Sequence, residues 1–199
     1  MSSAARVAGI VLAAGKATRM GRTKQLLPFR GKSVLEWVVD HALASGLHRV
    51  VVVLGHDAEL LEPLLRERDV TVVVNPQYGE GQSSSLKAGL DALTDETEAA
   101  LFLLGDQPLV TPEIIDRILA AYAASPSPIV MPVCEGRRGN PVLLDRETFP
   151  AILNLSSDCG ARGIFAQYAG RILAVPVESR AILADIDTEE DYQRLLQDS

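Results

Sequence analysis

Two cations stand just behind a turn of small residues near the start of this 199-residue chain: Arg19 and Lys24, after Leu12-Ala13-Ala14-Gly15. Backbone N–H groups in such a turn approach a ligand closely, and with Arg and Lys beside them they suit a phosphate. If the loop holds a nucleoside triphosphate, the two cations would neutralise charge on its α-, β- and γ-phosphates during transfer. A carboxylate of matching use is Asp106, in Gly105-Asp106-Gln107-Pro108, directly behind the apolar run from 99 to 104. Mg²⁺ takes hard oxygen ligands, with one or two carboxylates completed by phosphate oxygens. A further carboxylate is available in Asp185-Ile186-Asp187, where the two aspartates are read as facing apart, so that only one of them would join Asp106 at the metal. Ser83, Ser84 and Ser85 open a helix; one is expected to cap it, and the others are placed to meet ribose or base. Asp158 and Arg162 are candidates for contact with an acceptor, or for a local ion pair. Plainer roles stand beside each of these: solvated loop cations, a turn-forming Asp106, and an Asp187 that only helps start the helix after Thr188.

The elements that must position these residues follow from the hydrophobic pattern. Continuous apolar runs near residues 7–12, 49–54, 70–74, 99–104 and 129–133 predict buried strands. Helical patterns lie between them: one from Ser33, with Glu36 completing a capping box, one capped by Asp57 and running to about Arg68, one from the serines to about Leu93, and one from Thr111 with Pro112 at its first position. Later, 142–144, 172–177 and 182–186 read as strands, two helical pieces flank Asn154 to Asp158, and Thr188 opens a last helix with Asp191 three residues on. Strands alternating with helices at this rate predict an α/β fold: three αβα layers around a mostly parallel, Rossmann-like central sheet. In such sheets ligands bind beyond the carboxyl ends of the strands, so the loops at 13–24, 75–85 and 105–108 should open on one edge. No linker, repeat or low-complexity stretch breaks the chain, so residues 1–199 are read as a single domain.

Charge and composition exclude several classes. The net charge of −7 and pI near 5.0 argue against a nucleic-acid binder, whose affinity comes from a basic face. No run approaches the ~18 apolar residues that span a bilayer, and Met1 to Arg6 lacks the apolar core of a signal peptide, so a cytoplasmic location is expected. Cys134 and Cys159 match no metal spacing and are too few for a disulfide framework. Gly31-Lys32-Ser33 resembles the end of a P-loop, but the glycine required five positions earlier is Leu26. The dinucleotide fingerprint and the nucleophile elbow are also absent. His41, His48 and His56 show no metal spacing.

Taken in order, Leu12-Ala13-Ala14-Gly15, Arg19-Met20-Gly21, Lys24-Gln25-Leu26-Leu27-Pro28, Asn75-Pro76, Gly81 with Ser84-Ser85-Leu86, Gly105-Asp106-Gln107-Pro108 and Asp185-Ile186-Asp187-Thr188 resemble the nucleotidyltransferases with a GT-A-like fold. Within these, the chain is most similar to the molybdenum cofactor cytidylyltransferase family. The resemblance implies that an acceptor phosphate attacks the α-phosphorus of a triphosphate and releases pyrophosphate, with Mg²⁺ as cofactor. It implies nucleotide contacts from Leu12, Ala13, Ala14, Gly15, Arg19, Lys24, Asn75, Gly79, Glu80, Ser84 and Ser85, catalytic roles for Arg19, Lys24 and Asp106, and metal ligation by Asp106 with Asp185 or Asp187. Ala13-Ala14-Gly15 resembles cytidylyltransferases more than guanylyltransferases, which tend to carry two glycines there, and so favours CTP. Asn140, in Gly139-Asn140-Pro141, stands where the cytidylyltransferases usually have His, and Ser157 replaces a Gly before Asp158. With Asp158 and Arg162, Asn140 would meet the acceptor, for which molybdopterin leads and a sugar or polyol phosphate is the alternative. The partners so implied are CTP, a small phosphorylated acceptor, and a molybdoenzyme or its maturation factor. A reading of another class is a non-catalytic module that binds a nucleotide or cofactor and delivers it.

Overall fold

The structure is a computed structural model and describes residues 5–15, 20–155 and 160–197. The chain enters on β1 (Val7–Ala13) and passes a short hairpin of β2 (Pro28–Phe29) and β3 (Lys32–Ser33) before α1 (Val34–Leu43). Then follow β4 (Arg49–Leu54), α2 (Ala58–Leu61), β5 (Thr71–Val74), α3 (Gln82–Asp91), β6 (Ala99–Leu104) and α4 (Pro112–Ala124). The later half contributes β7 (Ile129–Cys134), β8 (Arg137–Arg138), β9 (Val142–Asp145), α5 (Phe149–Leu153), β10 (Ile172–Pro176) and α6 (Glu189–Gln197). Strand order is β10-β7-β9-β6-β1-β4-β5, with β8 paired to β7. β9 is antiparallel to both its neighbours, and β8 to β7; the remaining pairings in this sheet are parallel.

Side chains alternate across a strand, and the central strands are covered on both faces, which is why their runs are apolar without interruption, whereas β5, expected to be buried, is a half-exposed edge strand. Val50, Val52 and Leu54 of β4 pack with Leu101 and Leu103 of β6 under α1 and α4. Val51 and Val53 pack with Ile10 and Phe102 on the other face, under α3 and α5. α3 lies directly on β1: a methyl at Gly89 would stand 2.5 Å from Ile10 Cγ2. A smaller cluster joins Tyr192 and Leu195 of α6 to Leu27, Phe29, Val34 and Ile186, and Tyr192 Oη donates to Pro28 O at 2.6 Å. This cluster brings the segment before α6 alongside the segment that carries Lys24.

The predicted boundaries of β4 and β6 and the predicted start of α1 coincide with the structure, α1 ending at Leu43 rather than running to Gly46, and α1 has the capping box: Glu36 N–H donates to Ser33 Oγ and Ser33 N–H to Glu36 Oε2. Other expectations need correction. The helix expected to run from Asp57 to Arg68 is one turn of α2 followed by a 3-10 turn at 62–65, because Pro63 cannot supply a helical N–H. Asp57 does hold the N-cap position, its carbonyl accepting from the Leu60 and Leu61 N–H groups, but it sits at φ +57° and its side chain accepts from the Thr23 hydroxyl rather than from the helix. No serine caps α3, whose N-cap is Gly81 at φ +106°. The strand expected at 182–186 is a 3-10 turn at 180–183 followed by an irregular stretch, since Ile182 O is taken by the Asn140 N–H at 2.9 Å. Among the described residues no helix is long and apolar enough to cross a membrane.

Candidate functional site

From β1 the strand order runs through β4 to β5 on one side, and β6 lies on the other. A crevice therefore opens beyond the carboxyl ends of β1 and β6, where open α/β sheets bind ligands. Leu12 pairs with Leu104, and the Gly105 N–H donates to Leu12 O at 2.9 Å. The strands can stay this close past their ends because residue 105 is glycine: a Cβ there would stand 2.9 Å from Ala13 Cβ and 3.0 Å from Leu12 O. Gly55 at the end of β4 does the same for Ala14, since its Cβ would stand 2.8 Å from Ala14 Cβ. The loop of small residues and Asp106 thus meet at one edge, as the loop placement predicts.

Lys24 lies on a 3-10 turn at 24–26 and reaches into this crevice. Its ammonium pairs with the Asp106 carboxylate and with Asp187 Oδ1 at 3.0 Å. Burial alone would pull the Lys24 pKa down; the two carboxylates more than reverse this and hold it above its usual value, so the ammonium stays charged. Asp106 is 8% exposed, and burial pushes its carboxyl above the usual range although Lys24 draws it the other way. Partial burial and then the Asp106 charge raise Asp185 as well. Among the described residues, the carboxyl groups of Asp106, Asp185 and Asp187 share this corner with the Lys24 ammonium and offer hard oxygen donors.

Asp185 and Asp187 both line this cleft, which corrects the expectation that they face apart. Residues two apart in an extended segment return to one side, and Ile186 between them is turned inward and 2% exposed. The cleft has a volume of about 440 Å³ and is lined also by Leu12, Ala14, Gly15, Gly79 and Ser85, all predicted. Ala13 is fully buried behind it. Asn75, Glu80 and Ser84 are not brought to it: they border a separate hollow beside α3. Asn75 is 3% exposed and ties β5 to α3, its amide donating to Ser84 Oγ at 2.9 Å and Ser85 Oγ at 3.1 Å. Arg19 and Asp158 lie outside the described residues.

A second cleft of about 580 Å³ adjoins the first and shares Leu12, Gln82, Leu104 and Asp185 with it. Its floor is apolar, from Leu86, Phe102, Met131, Val142 and Phe165, and its polar rim holds Arg138, Asn140 and Arg162. Two predicted acceptor residues, Asn140 and Arg162, thus stand in one cavity with a predicted metal ligand.

Sequence reasoning missed Tyr78, Gln25 and Gln82 in the first cleft, Arg138 in the second, and Gln107, which donates to Asp185 Oδ1. Tyr78 had a signal, as the aromatic residue beside Gly79, and Arg138 had one in the Gly136 to Pro141 turn. Gln25 and Gln107 stood in stretches that carry the family resemblance, but a neutral amide did not single them out, and Gln82, the first residue of α3, had no signal. Among the described residues no three His, Cys, Asp or Glu side chains form a self-sufficient metal site. Mg²⁺ does not need one, since two carboxylates and the phosphates of a substrate meet its demand.

Comparison with known proteins bears on this arrangement. The family described as MobA-like NTP transferase domain matches residues 9–172. The chain is 34% identical to nicotine blue oxidoreductase of Paenarthrobacter nicotinovorans, covering 96% of each protein. It is 28% identical to molybdenum cofactor cytidylyltransferase of Escherichia coli, covering 92% of each. Among solved structures, Rv0371c of Mycobacterium tuberculosis superposes with a TM-score of 0.87 at 30% identity over 98% of this chain and 100% of that one. A manganese complex of Rv0371c matches with a TM-score of 0.82 over the same shares, so a divalent cation binds a protein of this shape. With its crevice at the β1–β6 switch point and a family match over most of its length, this chain belongs to the MobA-like NTP transferase family and is a nucleotidyltransferase.

Proposed function

We propose that the protein transfers CMP from CTP to the phosphate of a small acceptor, with molybdopterin as the leading acceptor and Mg²⁺ as the metal. The observation that carries this reading is the join of the two clefts at Asp185, next to the Lys24–Asp106 pair. Leu12, Ala14, Gly15, Gly79 and Ser85 would hold the nucleotide in the first cleft. The second would hold the acceptor: an apolar floor suits the faces of a flat heterocycle, and Arg138 and Arg162 suit its phosphate. A polyol phosphate would leave that floor in contact with hydroxyls, which favours the heterocycle. The E. coli relative bears the name of such an enzyme.

In the reaction an acceptor phosphate oxygen bonds to the α-phosphorus, while the bond to the bridging oxygen of the β-phosphate breaks. The electron pair leaves with pyrophosphate. Lys24 would balance the charge that accumulates on the phosphates, and holding both substrates across a shared wall supplies proximity. Asp106 with Asp185 and Asp187 would hold the Mg²⁺, which when bound neutralises phosphate charge.

The test is pyrophosphate release from each of the four triphosphates against molybdopterin and against sugar and polyol phosphates. Release with CTP and molybdopterin is the expected result. Release only with another phosphorylated acceptor would sink the molybdopterin assignment. Tight CTP binding without turnover on any acceptor would favour a delivery module.

A further inference from the structure

Gln107 follows Asp106 directly, but its side chain does not join it in the cleft. The residue is 1% exposed and lies among Val38, Leu103, Leu104, Val110 and Pro141. Its Nε2 donates to Asp185 Oδ1, and its Oε1 is buried with no hydrogen-bond partner. An orphaned amide acceptor in an apolar surround is destabilising, and methionine or leucine would fill the same space without it. Among the described residues, Asp185 is the one group to which this side chain is bonded. Asp185 in turn is the carboxylate shared by both clefts, and it stands with Asp106 and Asp187, whose like charges push it away. A neutral N–H holds such a carboxylate in place without discharging it, as an ammonium would.

We propose that Gln107 is a positioning residue: its buried amide clamps Oδ1 of Asp185, leaving the second oxygen to serve a divalent cation at the wall between the two clefts. Groups that orient a metal ligand in this way typically change metal affinity by about 10- to 100-fold when removed. The inference rests on Asp185 being a metal ligand, and the experiment separates the two ideas. Mn²⁺ binding to the full chain is followed by its electron paramagnetic resonance signal, in the presence of a CTP analogue with a methylene between the α- and β-phosphorus. Gln107→Met should weaken Mn²⁺ binding about tenfold or more, with the thermal midpoint unchanged or raised and metal-free affinity for the analogue unchanged. Gln107→Leu should behave alike, and it serves if the Met variant does not fold. In an Asp185→Asn background neither change should weaken Mn²⁺ further. Wild-type affinity in both single variants, or the same loss in the Asp185→Asn background, overturns the proposal. Should Asp185→Asn itself bind Mn²⁺ as tightly as the wild type, Asp185 is no ligand, and the proposal falls with that reading.

Discussion

Lys24 bonds to two of the three carboxylates that line the first cleft among the described residues, so its removal exposes the chemistry of the site most directly. Lys24→Met should lower kcat/KM for CTP by about 10²- to 10³-fold, the range for losing one aimed electrostatic group in a protected site. Steady-state pyrophosphate release measures it, and a loss under tenfold would mean that Lys24 only anchors Asp106. Asp106→Asn keeps the shape and removes the charge; Mg²⁺-dependent turnover should disappear while the fold persists by circular dichroism. Ala14 is 4% exposed and lines the cleft against Gly55, so one methyl group alters both the wall and the loop behind it. Ala14→Gly should raise GTP turnover relative to CTP. If the ratio of the two kcat/KM values does not move, base choice lies elsewhere, and Tyr78 becomes the next residue to test.

At the scale of elements, the spacing of β1 and β6 sets the site. Gly105→Ala places a methyl against Ala13 Cβ and Leu12 O, which forces the two strand ends apart. Activity should fall at least tenfold in a folded protein, because Asp106 moves with the strand end. The packing of α1 offers a separate test through pH. Arg68 Nε donates to Asp40 Oδ1 at 2.6 Å, and Arg68 Nη2 to Glu36 Oε1 at 3.2 Å. Burial alone would raise both acids, but hydrogen bonds and the guanidinium hold Asp40 and Glu36 below their ordinary values. A carboxyl depressed in the folded state adds stability above its unfolded pKa and loses it as pH falls through the folded one. Arg68→Met should therefore cost about 1–3 kcal/mol near neutrality, with the gap to the wild type closing as pH drops below about 4. Urea unfolding at a series of pH values reads this out; a gap independent of pH would mean that Arg68 acts through packing.

For the whole molecule, the two clefts predict linkage between ligands and stability. At 100 times its Kd, CTP with Mg²⁺ should stabilise the fold by about 2.7 kcal/mol, read as a rise in thermal midpoint. Much of this molecule was legible in the order of its residues. Continuous apolar runs define β1, β4 and β6, since a strand covered on both faces has no polar side to show. Ser33 and Glu36 mark the start of α1 because capping is local. The small-residue turn, Lys24 and Asp106 were identifiable because each sits at a strand end or behind a turn of distinctive composition. What local pattern could not supply is which strand lies beside which, and so which loops share a wall. Only the tertiary structure set β6 against β1, turned Asn75 and Ser84 away to tie β5 to α3, and brought Asp185 and Asp187 to the same cleft. It also placed Arg138 and Arg162 in one cleft and bonded the Gln107 amide to Asp185. These are contacts between residues far apart in the chain, fixed by strand order and by which side chains the core takes in, and neither leaves a mark in any short stretch of sequence.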